Sequence, residues 1–330
     1  MMRHPLNAIA ALVALVASCT LAWIGQPELG SSSNVLSSKI TPVEQVDFIL
    51  DHDGQKIICH EYQRIICASS IAAGVLPELV SVERIIMVPA WHRKTSPSAF
   101  KTSLRDTEGH SRIKALESLA SIEVLVAAKP DLILLNSLSG GGGERIQRLR
   151  SLNLNVLDLG PMLGADTFIE NIRTLGQVLR VAARGEHLAR SFRRRLERVN
   201  MVTPGGEAKG SLYIGNMGGS LIGGTKGSSY HDLLIYSGLK DLAADQGFTP
   251  WPSYTPEQVM AMNPEVIVTE YGKGASLRGI PGFHELKAFS DSGSLVELPP
   301  GAETIGFGLL DAVEALHETV HGWQGRTPGP

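Results

Sequence analysis

The chain has 330 residues, 43% of them hydrophobic and 19% charged, with a net charge of -3. That length suits two compact units better than a single hydrophobic core. The near-neutral balance gives no footing for a polyanion, so nucleic-acid binding is set aside.

Met-Met-Arg3-His4 precedes an almost uninterrupted apolar run from Ala8 to Ala17, short for a membrane span and suited to the core of a secretory signal. Export to the bacterial periplasm or cell envelope is expected. Val16-Ala-Ser-Cys19 is similar to the bacterial lipoprotein signal, in which small residues precede a cysteine that is lipidated. The competing reading is an uncleaved anchor, because Leu21-Ala-Trp-Ile24 prolongs the apolar run. Residues 1–19 are therefore assigned to the signal. Residues 20–55 are a tether, with Gly30-Ser-Ser-Ser-Asn34 at its start, leading into a strand hairpin. Ile57-Ile-Cys-His60 and Arg64-Ile-Ile-Cys-Ala68 flank a short connection and read as that hairpin. Cys59 and Cys67 would face each other across it as a disulfide, or serve as small buried residues.

Residues 56–163 read as a first α/β lobe: a strand at Arg64–Ala68, a helix near Ile71–Val80, a strand at Arg84–Val88, a helix at Glu144–Ser151 and a strand at Leu154–Leu159. Strands separated by helices favour parallel βα units. Within the lobe, Glu123-Val-Leu-Val-Ala-Ala-Lys-Pro-Asp-Leu-Ile-Leu-Leu-Asn136 is echoed later by Glu257-Gln-Val-Met-Ala-Met-Asn-Pro-Glu-Val-Ile-Val-Thr-Glu270. Each copy is a helix, a proline stop, an acid and a continuous apolar strand. A unit that appears in both halves predicts two similar Rossmann-like lobes with central parallel sheets and a ligand cleft between them.

Phe168, Ile172, Leu175, Leu179, Ala182, Ala189, Phe192, Leu196 and Val199 recur at helical spacing, so residues 164–203 read as one long linking helix capped by Asp166. Unbroken, it would span roughly 50 Å; Gly176 and Gly185 weigh against continuity. Residues 204–323 form the second lobe: a strand at Ser211–Gly215, a Gly/Ser-rich loop from Gly218 to Ser229, a helix through Asp232–Tyr236, the repeated unit, a strand at Ser294–Leu298 and a helix at Leu309–Val320. Residues 324–330 are a tail.

With the paired units in view, and with Gly140-Gly-Gly-Gly-Glu-Arg-Ile-Gln-Arg-Leu149 and Pro250-Trp-Pro-Ser-Tyr-Thr-Pro-Glu-Gln-Val259, the chain resembles the substrate-binding proteins of ABC importers for cobalamin, ferric siderophores and haem. The resemblance runs from about Arg64 to Val320. It implies lobes joined by a long helix, no enzymatic activity, no intrinsic cofactor and a metal chelate as ligand. It also implies a monomer that meets a permease dimer with its ATPase and touches the membrane only through its N-terminal anchor. By motif position, Glu144 and Glu257 would dock on permease arginines. Ligand contact falls to Trp91, Trp251, Tyr254, Tyr230 and Tyr271, whose faces can cover a planar chelate, and to Arg93, which can receive a carboxylate. Leu138 stands where cobalamin-binding members can carry a tryptophan.

The glycine run at 140–143 lacks the Lys-Ser or Lys-Thr ending of a P-loop. His110, His231 and His284 have no metal-ligand spacing, and no metal site is expected. No nucleophile elbow or zinc-protease helix supports an envelope enzyme. A receptor domain not coupled to import is the other alternative.

Overall fold

The computed structural model describes residues 44–90, 113–116, 121–137, 142–201, 207–291, 293–299 and 306–322. A two-stranded antiparallel ribbon comes first, β1 (Phe48–Leu50) and β2 (Lys56–Ile58). The first lobe follows: β3 (Ile65–Cys67), α1 (Ser70–Leu79), β4 (Ile85–Pro89), β5 (Lys114–Leu116), α2 (Ile122–Ala127), β6 (Leu132–Leu135), α3 (Gly142–Ser151) and β7 (Val156–Asp158). Its five strands run in the order β5-β4-β3-β6-β7, all parallel. Apolar side chains cover both faces, and every residue of β3, β6 and β7 is buried.

Two helices lead out of this lobe, α4 (Ala165–Val178) and α5 (Ala182–Met201). The predicted single rod is instead an antiparallel hairpin. Arg180 turns the chain at φ 61°, and Val181 N–H donates to Gly176 O at 2.8 Å. A Cβ on Gly176 would lie 3.0 Å from the Gly185 Cα, so the two glycines let the legs touch backbone to backbone. Across the hairpin Arg173 pairs with Glu186 at 2.8 Å and Arg193 with Asp166 at 2.7 Å. Asp166 is therefore a first-turn ion-pair partner, while the N-cap is Gly164. All nine residues of the apolar stripe are buried.

The second lobe comprises β8 (Gly210–Met217), β9 (Ser220–Gly223), α6 (Ser229–Tyr236), β10 (Lys240–Asp241), α7 (Leu242–Asp245), β11 (Ser253–Tyr254), α8 (Pro256–Met262), β12 (Val266–Thr269), α9 (Gly274–Arg278), β13 (Ser294–Glu297) and α10 (Gly308–His321). Its sheet is mixed: β8 pairs in parallel with β10 and β12, and β12 with β13, but β9 and β11 join antiparallel. The segment read as a Gly/Ser loop opens with a hairpin, because Gly218 and Gly219 hold φ of 60° and 90°, the positive values a tight turn between right-twisted strands requires.

The linking hairpin sets one leg on each lobe: α4 packs on α1 and β1, α5 on α6 and α10. Phe168, Phe192 and Phe307 interlock edge to face with centroids 4.9 to 5.7 Å apart, and Arg195 bridges to Asp311 and Glu314. No described helix is long and apolar enough to cross a membrane.

The duplicated unit is visible atom by atom. Lys129 and Asn263 end the two helices at φ 48° and 44°, each just before its proline. The acids that follow clamp the neighbouring strand: Asp131 accepts from Gln63 N and Arg64 N, and Glu265 from Gly210 N at 3.0 Å. The fully buried β6 and β12 then run inside their sheets, each one strand in from an edge.

The hairpin expected across Cys59 and Cys67 does not form. β2 pairs with β1, whereas β3 sits in the lobe sheet between β4 and β6. Both cysteines are buried and free. Burial pushes the Cys67 thiol up to about 12, and it donates to Ser69 O at 3.0 Å.

Candidate functional site

The two repeat strands end on polar residues at the carboxyl edges of their sheets, Asn136 after β6 and Glu270 after β12. In open α/β sheets this is the edge at which ligands gather. Asn136 donates from Nδ2 to Gly160 O at 2.7 Å and pairs with Ser69 Oγ. The loop that leaves β7 through Gly160 reaches the second lobe at Asp232, whose Oδ2 accepts from Ala165 N at 2.6 Å. Tyr230, in the first turn of α6, stands just upstream of that contact. The carboxyl edge of the first lobe and the first turn of α6 are thus neighbours.

Tyr230 is half-buried and stacks on Tyr213 of β8, with centroids 3.5 Å apart and planes 16° from parallel. Trp251 closes edge-on against Tyr230 at 5.8 Å and is 54% exposed. Gly224 makes the stack possible, since a Cβ there would lie 2.6 Å from the Tyr230 ring. Tyr213 is buried and donates its hydroxyl to Glu270 Oε1 at 3.3 Å. Burial, then the neighbouring Tyr230 hydroxyl and the Glu270 carboxylate, push its phenol far above the ordinary tyrosine range, so it remains a neutral donor. The result is a fixed ladder of three rings ending in an exposed carboxylate.

Tyr254 does not join it. This residue is 6% exposed and belongs with Leu212, Ile214 and Ile267 in the core on the other face of the sheet, edge-on to Phe248 at 5.5 Å. Tyr213 packs with Val266 and Val268 on the face toward the linking helices. The contact expected of Tyr254 therefore falls on the face of the sheet opposite Tyr213. Tyr254 lines a cavity of about 380 Å³ with Leu221, Pro256 and Ile280, and no ring-ladder residue lines it.

Tyr271 is 64% exposed next to Glu270. Trp91, Arg93, Leu138 and Cys19 lie outside the described residues. Glu144 and Glu257 are exposed in the first turns of α3 and α8. Its own backbone N–H, then Thr255, hold the Glu257 carboxyl below the usual range. Thr255 and Gln258 form a reciprocal capping box around it. Among the described residues no group of His, Cys, Asp and Glu is placed to hold a metal ion.

Sequence reasoning missed Tyr213 and Glu270 as site residues, although it placed both. The available signal was the repeat: each copy closes on a polar residue immediately after a buried strand, at the carboxyl edge of its sheet.

The periplasmic binding protein family matches residues 65–281. The chain is 24% identical over 207 residues to an uncharacterized ABC transporter substrate-binding lipoprotein of Bacillus subtilis, covering 61% of this chain and 65% of that protein. It is 28% identical over 161 residues to a vitamin B12-binding protein of Salmonella typhimurium, covering 48% and 58%. The alignments thus span 58% to 65% of these relatives' own length. A possible iron-binding (periplasmic solute-binding) protein of Staphylococcus epidermidis superposes with TM-score 0.66 at 17% identity, over 79% of this chain and all (100%) of that one. A periplasmic haem-binding protein of Roseiflexus gives TM-score 0.63 at 16% identity, over 79% and 98%. At such identities the likeness is one of fold.

Proposed function

Because the chain belongs to the periplasmic binding protein family, we propose that it is the extracytoplasmic substrate-binding component of an ABC importer, taking a bulky metal chelate between its lobes and presenting it to a permease with its ATPase. The observation that carries the reading is the ring ladder: Trp251 and Tyr230 present aromatic surface beside the junction of the lobes, held by Tyr213 and Gly224. Such surface covers a planar ligand at little entropic cost. The relatives named for vitamin B12 and haem support the same class of cargo. Glu144 and Glu257 supply the docking charges, each on the exposed first turn of a helix, where a carboxylate can meet an arginine without a large apolar interface. The chain acts as an exported monomer, tethered through Cys19. The linking hairpin, with one leg on each lobe, restricts closure to a small change, and ligand shifts the closed population by its preference for that state.

The test is titration of the purified protein with cyanocobalamin, haemin and a ferric siderophore, read by visible spectra and melting temperature. The cargo raises the melting temperature with its concentration, and Trp251→Ala weakens its binding by about 1 to 3 kcal/mol. A melting temperature unmoved by every chelate overturns the reading.

A further inference from the structure

Resting on the reading of this face as the cargo site, we propose that it selects a planar chelate rimmed by N–H donors, such as carboxamides, over one rimmed by carboxylates. The selecting group is Glu270. Its counterpart in the first lobe, Asn136, is engaged with Gly160 and Ser69, whereas Glu270 is exposed and takes one side-chain hydrogen bond among the described residues, from Tyr213 at 3.3 Å. A carboxylate offers about four acceptor positions, so most of its capacity faces outward. No cationic side chain among the described residues pairs with it: His231 gives its Nδ1 to Asp241 at 2.8 Å, and Lys273 contributes only its backbone N–H to the Glu270 carbonyl.

The ladder leaves little room for adjustment. Tyr213 is 4% exposed, stacked on Tyr230 and committed as a donor, so it cannot turn to neutralise an incoming anion. A ligand lying on Trp251, the exposed ring of the ladder, meets the edge of Tyr230 and brings its rim toward Glu270. A carboxamide N–H there makes a charge-assisted hydrogen bond. A ligand carboxylate meets a like charge with no cation from the described residues between them, and like charges brought together oppose binding. Each member of the ladder has a separate role: the rings supply area, Gly224 fixes them, and Glu270 reads the rim.

The experiment compares wild type and Glu270→Gln, by calorimetry at neutral pH, with cyanocobalamin, whose ring is fringed by carboxamides, and haemin, whose edge carries carboxylates. The expected result is a wild-type preference for cyanocobalamin that collapses in Glu270→Gln, through about a tenfold or larger loss for the corrinoid and an unchanged or improved affinity for haemin. Tyr213→Phe removes one hydrogen bond and keeps the ring and the charge, so the preference survives in it. Tighter wild-type binding of haemin, or an equal preference in wild type and Glu270→Gln, overturns the selectivity and leaves the chelate-binding reading standing. Failure of both ligands and of a ferric siderophore to bind wild type removes that reading and the selectivity with it.

Discussion

His231 and Asp241 form an ion pair on which Thr225 also converges. Asp241 Oδ2 lies 2.8 Å from His231 Nδ1 and accepts from Thr225 Oγ1 at 2.6 Å, while Oδ1 caps α7 through Ala243 N and Ala244 N. The hydrogen bond that His231 donates to Asp241 raises the His231 pKa against partial burial; Asp232 adds to the rise and Lys226 opposes it. With the folded value above the unfolded value of about 6.5, the stabilisation is fully present below about pH 6.5 and is lost as pH rises through the folded value. His231→Gln is therefore expected to cost more at pH 5.5 than at pH 8.5, read as the difference in urea midpoint from wild type. An equal cost at both values would mean that the neutral ring does all the work. At this scale the sequence was legible in kind: an isolated histidine without metal spacing is a hydrogen-bonded one, and His231 is. It was not legible in facing. Trp251 and Tyr254 carry the same expectation from neighbouring positions, yet one is exposed on the ring ladder and the other lies in the core against Gly223. Which sheet face a short strand shows depends on its pairing, here Tyr254 opposite Leu221.

Among the elements, the clearest contrast is between the repeat and the linking helices. The repeat was readable because each part has a local cause: proline stops the helix, the acid caps the adjacent strand, and the apolar run is a strand covered twice. The linking segment was misread because its period is the same in a rod and in a hairpin. Reversal near Arg180 leaves the stripe from Phe168 to Val199 entirely buried. Gly176 and Gly185 were the only trace of the fold-back, and their role is spatial: a Cβ on Gly185 would lie 2.9 Å from the Gly176 Cα and 3.1 Å from Ile172 O. Gly185→Leu is therefore expected to lower stability by about 1 to 3 kcal/mol through overpacking, outweighing the gain of about 1 kcal/mol in helix propensity. Urea denaturation measures it. A stabilised variant would show that the legs can part without loss.

For the whole molecule, the decisive property is that the two carboxylates assigned to docking sit on separately braced helices. At its far end α3 is held by Arg150, which pairs with Asp51 and, at 3.0 Å, with Asp53 in the ribbon turn. The start of α8 is fixed by the Thr255–Gln258 capping box. Glu144 and Glu257 are thus mounted on rigid supports outside the ring ladder, and their charge can be changed without touching Tyr213, Tyr230, Trp251 or Glu270. Reversal to arginine at a helix start costs about 0.3 to 1 kcal/mol of local stability through the helix dipole, too little to unfold a domain of this size. The double variant Glu144→Arg/Glu257→Arg is accordingly expected to bind its chelate with wild-type affinity in calorimetry and to lose uptake in proteoliposomes carrying the cognate permease and ATPase. Each single variant retains part of the uptake, because one carboxylate still orients one lobe. Raised salt mimics the loss in wild type by screening the exposed pairs. Full uptake by the double variant would remove docking from these two residues and leave import to be oriented by other contacts.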